Sequence, residues 1–248
     1  MSLADQISTW MAARVREAGA RGLVVGLSGG VDSAVVAVLA QRAAGEHLLG
    51  VLMPCHSLLE DGELARLLAR TFGIETLTVD LAPAYDALLA TLPPGSDRST
   101  ERSRQSLARA NLKPRLRMTT LYYLANERNY LVAGTGNRSE VIVGYYTKYG
   151  DGGVDLEPLG GLLKTQVWDL ARELGVPDVI VDRAPSAGLW RGQTDEGEMG
   201  ITYAALDRTL VALEQGDTRD IDPATLAKVQ GMIARSAHKR ALPPIFQP

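Results

Sequence analysis

The chain has 248 residues, of which 46% are hydrophobic and 22% charged, and its formal net charge is −3. This composition is typical of an ordinary soluble globular protein, and it provides no global positive field to attract nucleic acid or an anionic membrane. The single cysteine, Cys55, excludes an internal disulfide and a multi-cysteine metal centre, and the absence of a signal peptide or a long apolar run predicts a cytoplasmic location.

Hydrophobic periodicity predicts helices that alternate with short apolar strands. The predicted helices cover residues 3–18, 31–44, 64–72, 83–92, 100–127 (with a break before Pro114), 139–143, 165–174, 203–214 and 223–238. The predicted strands cover residues 22–27, 48–53, 76–79 and 130–133, and polar loops are expected over 93–100 and 184–200. This alternation predicts one α/β domain over residues 1–248, a doubly wound parallel sheet with flanking helices.

A glycine-rich segment, GLSGGVDS, lies between the first predicted strand and the helix that follows it, from Gly26 to Ser33. Its glycines let backbone amides approach an anion, the start of the helix adds its positive dipole end, and Ser28 and Ser33 can donate hydroxyl hydrogen bonds. Asp32 would repel a phosphate unless a divalent cation lies between them. The segment lacks the lysine of the kinase P-loop and the spacing of the dinucleotide fingerprint, so it predicts a different type of phosphate loop.

A second pair of motifs follows the fourth predicted strand. GTGNRSE ends at Glu140, and YYTKYGDGGVD extends from Tyr145 to Asp155. With SGGVDS, Lys164, the segments APS (184–186) and GQTDE (192–196), and HKR (238–240), these motifs resemble the ammonia-dependent NAD synthetases of the N-type ATP pyrophosphatase superfamily. The resemblance covers nearly the whole chain in order, and it implies an adenine nucleotide alpha-hydrolase-like fold.

The resemblance implies a reaction in two steps that needs Mg²⁺. The carboxylate of deamido-NAD attacks the α-phosphate of ATP to give NAD-adenylate and pyrophosphate, and ammonia then displaces AMP to leave NAD. The nitrogen source is expected to be free ammonia or a separate glutaminase partner. The resemblance also implies a homodimer, and the net charge of −3 predicts no nucleic acid or membrane partner.

The resemblance also assigns roles to individual residues. The implied ATP-binding residues are Gly26, Ser28, Gly29, Gly30, Asp32, Ser33, Thr135, Lys164 and Ser186. The implied deamido-NAD-binding residues are Asn111, Arg115, Tyr122, Tyr145, Lys148, Asp155, His238 and Lys239. The implied catalytic residues are Asp32, Glu140, Lys164 and Asp151, and the implied metal ligands are Asp32 and Glu140.

Several of these residues have plainer interpretations. Asp151 can capture ammonium or take a proton from it, or it can be a turn aspartate in Gly-Asp-Gly. The basic HKR segment can bind phosphate or cap a helix C-terminus. Asn111, Arg115 and Tyr122 project from nearly one helical face, although Pro114 favours the first helical turn and can place Asn111 before the helix.

The remaining alternatives concern function and assembly. The chain can be a GMP-forming or tRNA-thiolating ligase of the same superfamily, or a non-catalytic ATP-binding regulator. One cysteine and the net charge of −3 disfavour tRNA thiolation, and a regulator leaves the residues beyond SGGVDS without a task. Leu116, Leu121 and Leu124 can contribute to a dimer interface or fill the core of one chain.

Overall fold

The computed structural model describes residues 1–93, 106–190 and 192–247. The strands are β1 (Gly22–Gly26), β2 (Leu48–Leu52), β3 (Thr76–Thr78) and β4 (Tyr130–Ala133). The α-helices bounded within these ranges are α1 (Leu3–Glu17), α2 (Val31–Ala44), α3 (Leu59–Phe72), α4 (Ala82–Thr91), α5 (Leu112–Arg128), α6 (Arg138–Val143), α7 (Lys164–Glu173), α8 (Asp178–Val181), α9 (Asp195–Met199), α10 (Tyr203–Gln215) and α11 (Pro223–Ser236). Short 3₁₀ turns cover Gly45–His47 and Ala237–Lys239, and residues 106–110 are helical.

The four strands form one parallel sheet in the order β3-β2-β1-β4, which confirms the predicted fold class. From β1 the chain proceeds outward through β2 and β3, and it then returns to the other side of β1 for β4. The order therefore reverses between β1 and β4. Ligands of open α/β sheets bind in the crevice that such a reversal leaves at the carboxyl ends of the strands. The loops that follow these two strands carry SGGVDS and GTGNRSE.

Helices cover both faces of the sheet because its strands β1 and β2 are apolar on both sides. Leu23 and Val25 of β1 pack into one core with α1, α2 and α7. Val24, between them, points to the opposite core with α4 and α5. A third core, formed by α6, α10 and α11, lies beside the sheet. Among the described residues, no helix has the length and apolarity needed to cross a membrane.

The helix boundaries differ from the prediction in ways that local chemistry explains. Helix α3 begins at Leu59, five residues before the predicted start, and its first turn holds Glu60 and Asp61, which favour the positive end of the helix dipole. The predicted break before Pro114 is confirmed, because Asn111 occupies the N-cap of α5 and Pro114 lies in the first turn. Most of the predicted loop 93–100 and the start of the predicted helix 100–127 lie outside the described residues.

The structure places the three leucines of α5 against the core of the chain. Leu124 is buried in the core beneath the sheet, and Leu116 and Leu121 are partly buried against the same core. Within one chain these leucines therefore pack against the core, and a dimer interface on α5 stays a prediction. The large hydrophobic side chain that α5 exposes is Tyr123, which is 67% exposed.

Candidate active site

The phosphate loop surrounds the start of α2. The Ser33 hydroxyl donates to the Gly30 carbonyl at 2.9 Å and lies 3.0 Å from the Ser28 hydroxyl, and the Gly30 N–H donates to the Ser28 Oγ at 3.2 Å. Gly29 has φ +81°, and a Cβ there would lie 2.5 Å from the Asp61 carbonyl oxygen, so only glycine fits. Gly30 provides no side-chain cap for α2, which leaves the helix N-terminus open to an anion.

Three charged side chains from three helices meet beside this loop. The Lys164 Nζ lies 2.5 Å from the Asp32 Oδ2 and 3.4 Å from the Glu140 Oε1, and the lysine side chain is only 2% exposed. Asn137 holds the same pair from the other side, because its Nδ2 donates to the Asp32 Oδ1 at 2.9 Å and its Oδ1 accepts the Glu140 N–H at 3.0 Å. The two predicted metal ligands therefore converge on one position, which Lys164 now occupies with a cationic group. This convergence fits a site for a divalent cation.

No cluster of three or more histidine, cysteine, aspartate or glutamate residues capable of holding a metal is present in the described part of the chain. A cation at Asp32 and Glu140 would therefore take its other ligands from water and from the phosphates of a bound nucleotide. Mg²⁺ commonly binds in this way, through one or two carboxylates with substrate phosphates.

Burial and charge shift the pKa values of this cluster in opposite directions. Burial raises the pKa of Glu140 to about 7, and Lys164 opposes this shift while Asp32 and Asp195 add to it. Burial alone would lower the pKa of Lys164, but Asp32 and Glu140 outweigh it and raise that pKa, so Lys164 stays protonated. The cluster therefore keeps a buried ammonium that is paired with carboxylates.

Tyr203, which is buried, and Tyr145, which is half-buried, extend the cluster toward the segment 184–200. The Tyr203 hydroxyl lies 3.1 Å from the Glu140 Oε1 and 3.0 Å from the Asp195 Oδ2, and the Lys164 Nζ lies 4.9 Å from the centre of its ring. The Tyr145 hydroxyl contacts the Asp195 Oδ1 at 3.2 Å and the Glu198 Oε2 at 2.8 Å. The structure thus places Tyr145, predicted to bind deamido-NAD, among the carboxylates of the metal-site network.

The other predicted deamido-NAD residues gather around the glycine-rich segment between residues 145 and 155. The Tyr122 hydroxyl donates to the Asp155 Oδ1 at 3.0 Å, and the Val132 N–H donates to the Asp155 Oδ2 at 2.8 Å, so Asp155 is fixed rather than simply solvated. The Asn111 Oδ1 accepts the Thr147 hydroxyl at 2.9 Å from its position at the N-cap of α5.

The basic residues of this group bind backbone carbonyls. Arg115 donates to the Lys148 carbonyl at 3.4 Å, and the Lys148 Nζ donates to the carbonyl of His238 at 2.5 Å. The Lys239 Nζ donates to the carbonyls of Gly144 and Tyr146 at 2.7 and 2.6 Å, just beyond the C-terminus of α6. The structure therefore supports the capping interpretation of HKR, although the capped helix is a neighbouring one. His238 itself is exposed, and its Nδ1 lies 3.2 Å from the Arg235 carbonyl.

A cleft of about 330 Å³ opens beside these residues, and it is lined by Val141, Tyr146, Gly152, Val154, Asp155, Leu156, Glu157 and Arg240. A smaller cavity of about 40 Å³ shares part of this lining and reaches Thr135, Glu140 and Asp151. The Asp151 Oδ1 accepts the Thr147 N–H at 3.0 Å, as expected of a turn aspartate. Asp151 thus has the turn role and also lies on a cavity that contacts the metal-site carboxylate.

Ser186 is the predicted ATP-binding residue that this structure does not bring to the cluster. It is exposed, and its hydroxyl accepts the Gly188 N–H at 3.1 Å. The segment that carries it contains the short helix α9, which the prediction treated as loop. Arg183, directly before the segment, forms an ion pair with the Asp61 Oδ1 at 2.7 Å.

Four residues that were not predicted from the sequence as site residues also contribute to the site: Asn137, Asp195, Tyr203 and Asp207. Asn137 had a readable signal, because Asn137-Arg138-Ser139-Glu140 has the spacing of a capping box, and the structure contains that box. Asp207 had no such signal in the sequence. Its carboxylate accepts hydrogen bonds from the Ser139 hydroxyl at 2.5 Å and the Thr165 N–H at 2.9 Å, and these contacts fix the start of α7, where Lys164 lies.

Comparison with known proteins places this geometry in one family. The family model described as NAD synthase matches residues 3–243. The NH(3)-dependent NAD(+) synthetase of Carboxydothermus hydrogenoformans is 51% identical over 97% of this chain and 95% of its own length.

Two solved structures have the same fold over almost the whole chain. The NMN synthetase from Francisella tularensis is 38% identical with a TM-score of 0.86, covering 98% of each chain. The NH3-dependent NAD synthetase from Campylobacter jejuni, in complex with the nitrate ion, is 28% identical with a TM-score of 0.83, covering 100% of each chain. The chain that brings Asp32, Glu140 and Lys164 together at its sheet crevice belongs to the NAD synthase family.

Proposed function

We propose that this protein is a ligase that forms NAD from deamido-NAD and ammonia and cleaves ATP to AMP and pyrophosphate. The observation that carries the proposal is the convergence of Asp32 and Glu140 on one cation position beside the open N-terminus of α2. Cleavage between the α- and β-phosphates develops charge on the leaving pyrophosphate, and a cation at this position would neutralise it.

The protein's own groups bind and orient the two substrates. The first-turn amides of α2 and the hydroxyls of Ser28 and Ser33 receive the phosphates, and Lys164 adds a positive charge from the start of α7. Asp32 and Glu140 would hold Mg²⁺, which when bound would polarise the phosphoryl oxygens and stabilise the leaving group.

The cleft beside Asp155 receives deamido-NAD. It leads past Tyr146 and Glu157 to the small cavity that Asp151 and Glu140 share, so a carboxylate of the bound dinucleotide can approach the phosphate site from this side. Asp151, which lines the small cavity, would attract ammonium to the activated carbonyl and accept a proton from it. The cytoplasmic location stays a prediction from the sequence.

The direct test combines the purified chain with ATP, Mg²⁺, deamido-NAD and ammonium. AMP, pyrophosphate and NAD should appear in equal amounts, and exchange of labelled pyrophosphate into ATP should require deamido-NAD. Asp32→Asn and Glu140→Gln should abolish this exchange, while Asp86→Asn, a control outside the cluster, should retain it. Normal exchange in either site variant would overturn the metal assignment.

A second acceptor is tested in the same assay, because a structure named NMN synthetase is similar to this chain over 98% of its length. The deamidated form of NMN carries the same carboxylate but lacks the adenylyl half. A higher kcat/KM for this mononucleotide than for deamido-NAD would assign the chain to NMN formation instead. Replacing ammonium by glutamine in both assays tests whether the isolated chain needs a separate glutaminase to use glutamine nitrogen.

A further inference from the structure

The Tyr203 hydroxyl lies at the buried centre of the site, but none of the predicted site chemistry uses it. Tyr203 is fully buried, and its ring packs edge-on against Trp168 at a centroid distance of 6.0 Å. Phenylalanine would satisfy these packing contacts, and a buried hydroxyl costs free energy unless it is hydrogen-bonded. The hydroxyl is therefore explained by its two carboxylate neighbours, Glu140 at 3.1 Å and Asp195 at 3.0 Å.

Three groups orient the Glu140 carboxylate. The Asn137 N–H reaches its Oε2 at 3.4 Å, and the Lys164 Nζ reaches its Oε1 at 3.4 Å. Lys164 occupies the position between Asp32 and Glu140, so a bound cation has to displace it. Tyr203 is the neutral side-chain donor that can remain on Glu140 when a cation is present.

On its other side Tyr203 reaches the segment 184–200 through Asp195. Asp195 is buried at the start of α9, and its N–H donates to the Pro185 carbonyl at 3.0 Å, near the beginning of the same segment. Asp195 thus ties both ends of the segment together, and the segment carries Ser186. One hydroxyl therefore connects a metal-binding carboxylate with this segment.

We propose that Tyr203 is a positioning residue for the cation site, whose hydroxyl aims Glu140 at the bound metal and couples the order of the segment 184–200 to metal binding. The proposal rests on the proposed function only in that Asp32 and Glu140 hold the metal. It assigns Tyr203 no contact with substrate, because the residue acts through Glu140 and Asp195.

Tyr203→Phe tests the proposal, because it removes the hydroxyl and keeps the ring. Mn²⁺ binding is measured by electron paramagnetic resonance in the presence of α,β-methylene-ATP, an analogue that cannot be cleaved between its α- and β-phosphates. The Mn²⁺ dissociation constant should rise about tenfold, which corresponds to about 1.4 kcal/mol. In turnover assays the Mg²⁺ concentration for half-maximal rate should rise, while kcat at saturating Mg²⁺ stays near the wild-type value.

Tyr85→Phe is the matched control, because Tyr85 is another buried tyrosine and lies in the core between α4 and α5. It should leave the Mn²⁺ dissociation constant unchanged. Asp195→Asn should weaken Mn²⁺ binding by a similar factor and make the segment 184–200 easier to cleave with protease. The Tyr203→Phe/Asp195→Asn double variant should have a Mn²⁺ dissociation constant no higher than that of the single variant with the lower Mn²⁺ affinity, because both changes break the same connection.

A Tyr203→Phe variant with a lower melting temperature but wild-type Mn²⁺ affinity would overturn the proposal, since packing alone would then explain the residue. Additive losses in the double variant would overturn the coupling to the segment. The metal measurement needs no turnover, so failure of the wild type to form NAD would overturn the proposed reaction without affecting this test. A wild-type protein that binds no Mn²⁺ with the nucleotide analogue would overturn both.

Discussion

Replacing Lys164 by methionine tests whether the buried ammonium keeps Asp32 and Glu140 together in the metal-free protein. Methionine fills a similar volume and removes the charge. The Lys164 side chain is 2% exposed, and its Nζ lies 2.5 Å from the Asp32 Oδ2 and 3.4 Å from the Glu140 Oε1. The variant therefore leaves two nearby carboxylates without their cation, in a place with little water to screen them.

The expected loss follows from the burial of this cluster. Removing one partner of a buried ion pair destabilises a protein by about 3–5 kcal/mol, because the remaining charge is left uncompensated. For a chain of this size, 1 kcal/mol shifts the melting temperature by about 2–4 °C, so the metal-free variant should melt roughly 6–20 °C below the wild type. Mg²⁺ can take the place of the ammonium, and ligand binding to the folded state should restore much of this loss.

Differential scanning calorimetry with EDTA and then with Mg²⁺ measures both effects. The control is Lys113→Met, since Lys113 is also buried but donates to the Leu189 carbonyl at 2.9 Å rather than to a carboxylate. The control should lose stability without any gain in its response to Mg²⁺. A Lys164→Met variant that melts like the wild type in EDTA, or that responds to Mg²⁺ no more than the control does, would refute the reasoning.

Three further predictions follow from single contacts. Because the pKa of Glu140 is raised from 4.5 to about 7, the folded state between these pH values holds a proton that the unfolded chain has lost. The free energy of unfolding should therefore fall by on the order of 3 kcal/mol as pH rises from about 4.5 to 7. Urea unfolding at a series of pH values measures this dependence, and Glu140→Gln should show a smaller change of unfolding free energy with pH. Equal changes in the variant and the wild type would contradict this cause. Arg183→Ala removes the 2.7 Å ion pair with Asp61 and should accelerate proteolysis within residues 184–200. In the wild type, ATP with deamido-NAD should suppress the same cleavage. Equal cleavage rates in variant and wild type, and with and without ligands, would argue against an ordered segment. The implied homodimer should have a sedimentation coefficient that does not depend on protein concentration. Tyr123→Glu, on the exposed side of α5, should weaken both dimer assembly and deamido-NAD binding. A stable wild-type monomer with full activity would rule the dimer out.

The sequence predicted the sheet well because buried parallel strands appear as short apolar runs. Strands β1 and β2 have almost every residue buried, and their bounds agree with the prediction within one residue. Helices α8 and α9 were missed because four or five residues are too short to show helical periodicity. Helix α9 depends on specific contacts instead, including the Thr194 hydroxyl oxygen, which accepts the Gly197 N–H.

The candidate site was predicted where its residues lie in motifs and missed where they depend on tertiary contacts. Asp32 and Glu140 are 108 positions apart, but both follow strands that the sheet brings side by side, so their convergence could be expected. Tyr203 begins an ordinary amphipathic helix and looks like core in the sequence. Its hydroxyl gains a role only because α10 packs beside α6 and α7, which is a contact that periodicity does not specify.

The charges of the site also indicate how cation and nucleotide should bind relative to one another. A divalent cation that binds alone has to displace the Lys164 ammonium from Asp32. Its binding free energy is therefore reduced by the free energy needed to separate this ion pair. A nucleotide alone meets Asp32 and Glu140, which repel its phosphates. If both were bound, the phosphates would accept the Lys164 ammonium, and Asp32 and Glu140 would hold the cation, whose charge would offset the repulsion between the carboxylates and the phosphates. We therefore expect Mn²⁺ affinity to rise at least tenfold when α,β-methylene-ATP is added, and nucleotide affinity to rise by the same factor when Mn²⁺ is added, since such coupling is reciprocal.

In Lys164→Met the free protein has no ammonium to displace, so Mn²⁺ alone should bind more tightly and the increase in Mn²⁺ affinity caused by the nucleotide should be smaller. Paramagnetic resonance titrations with and without the analogue measure both quantities, and an unchanged gain in the variant would show that Lys164 does not compete with the cation.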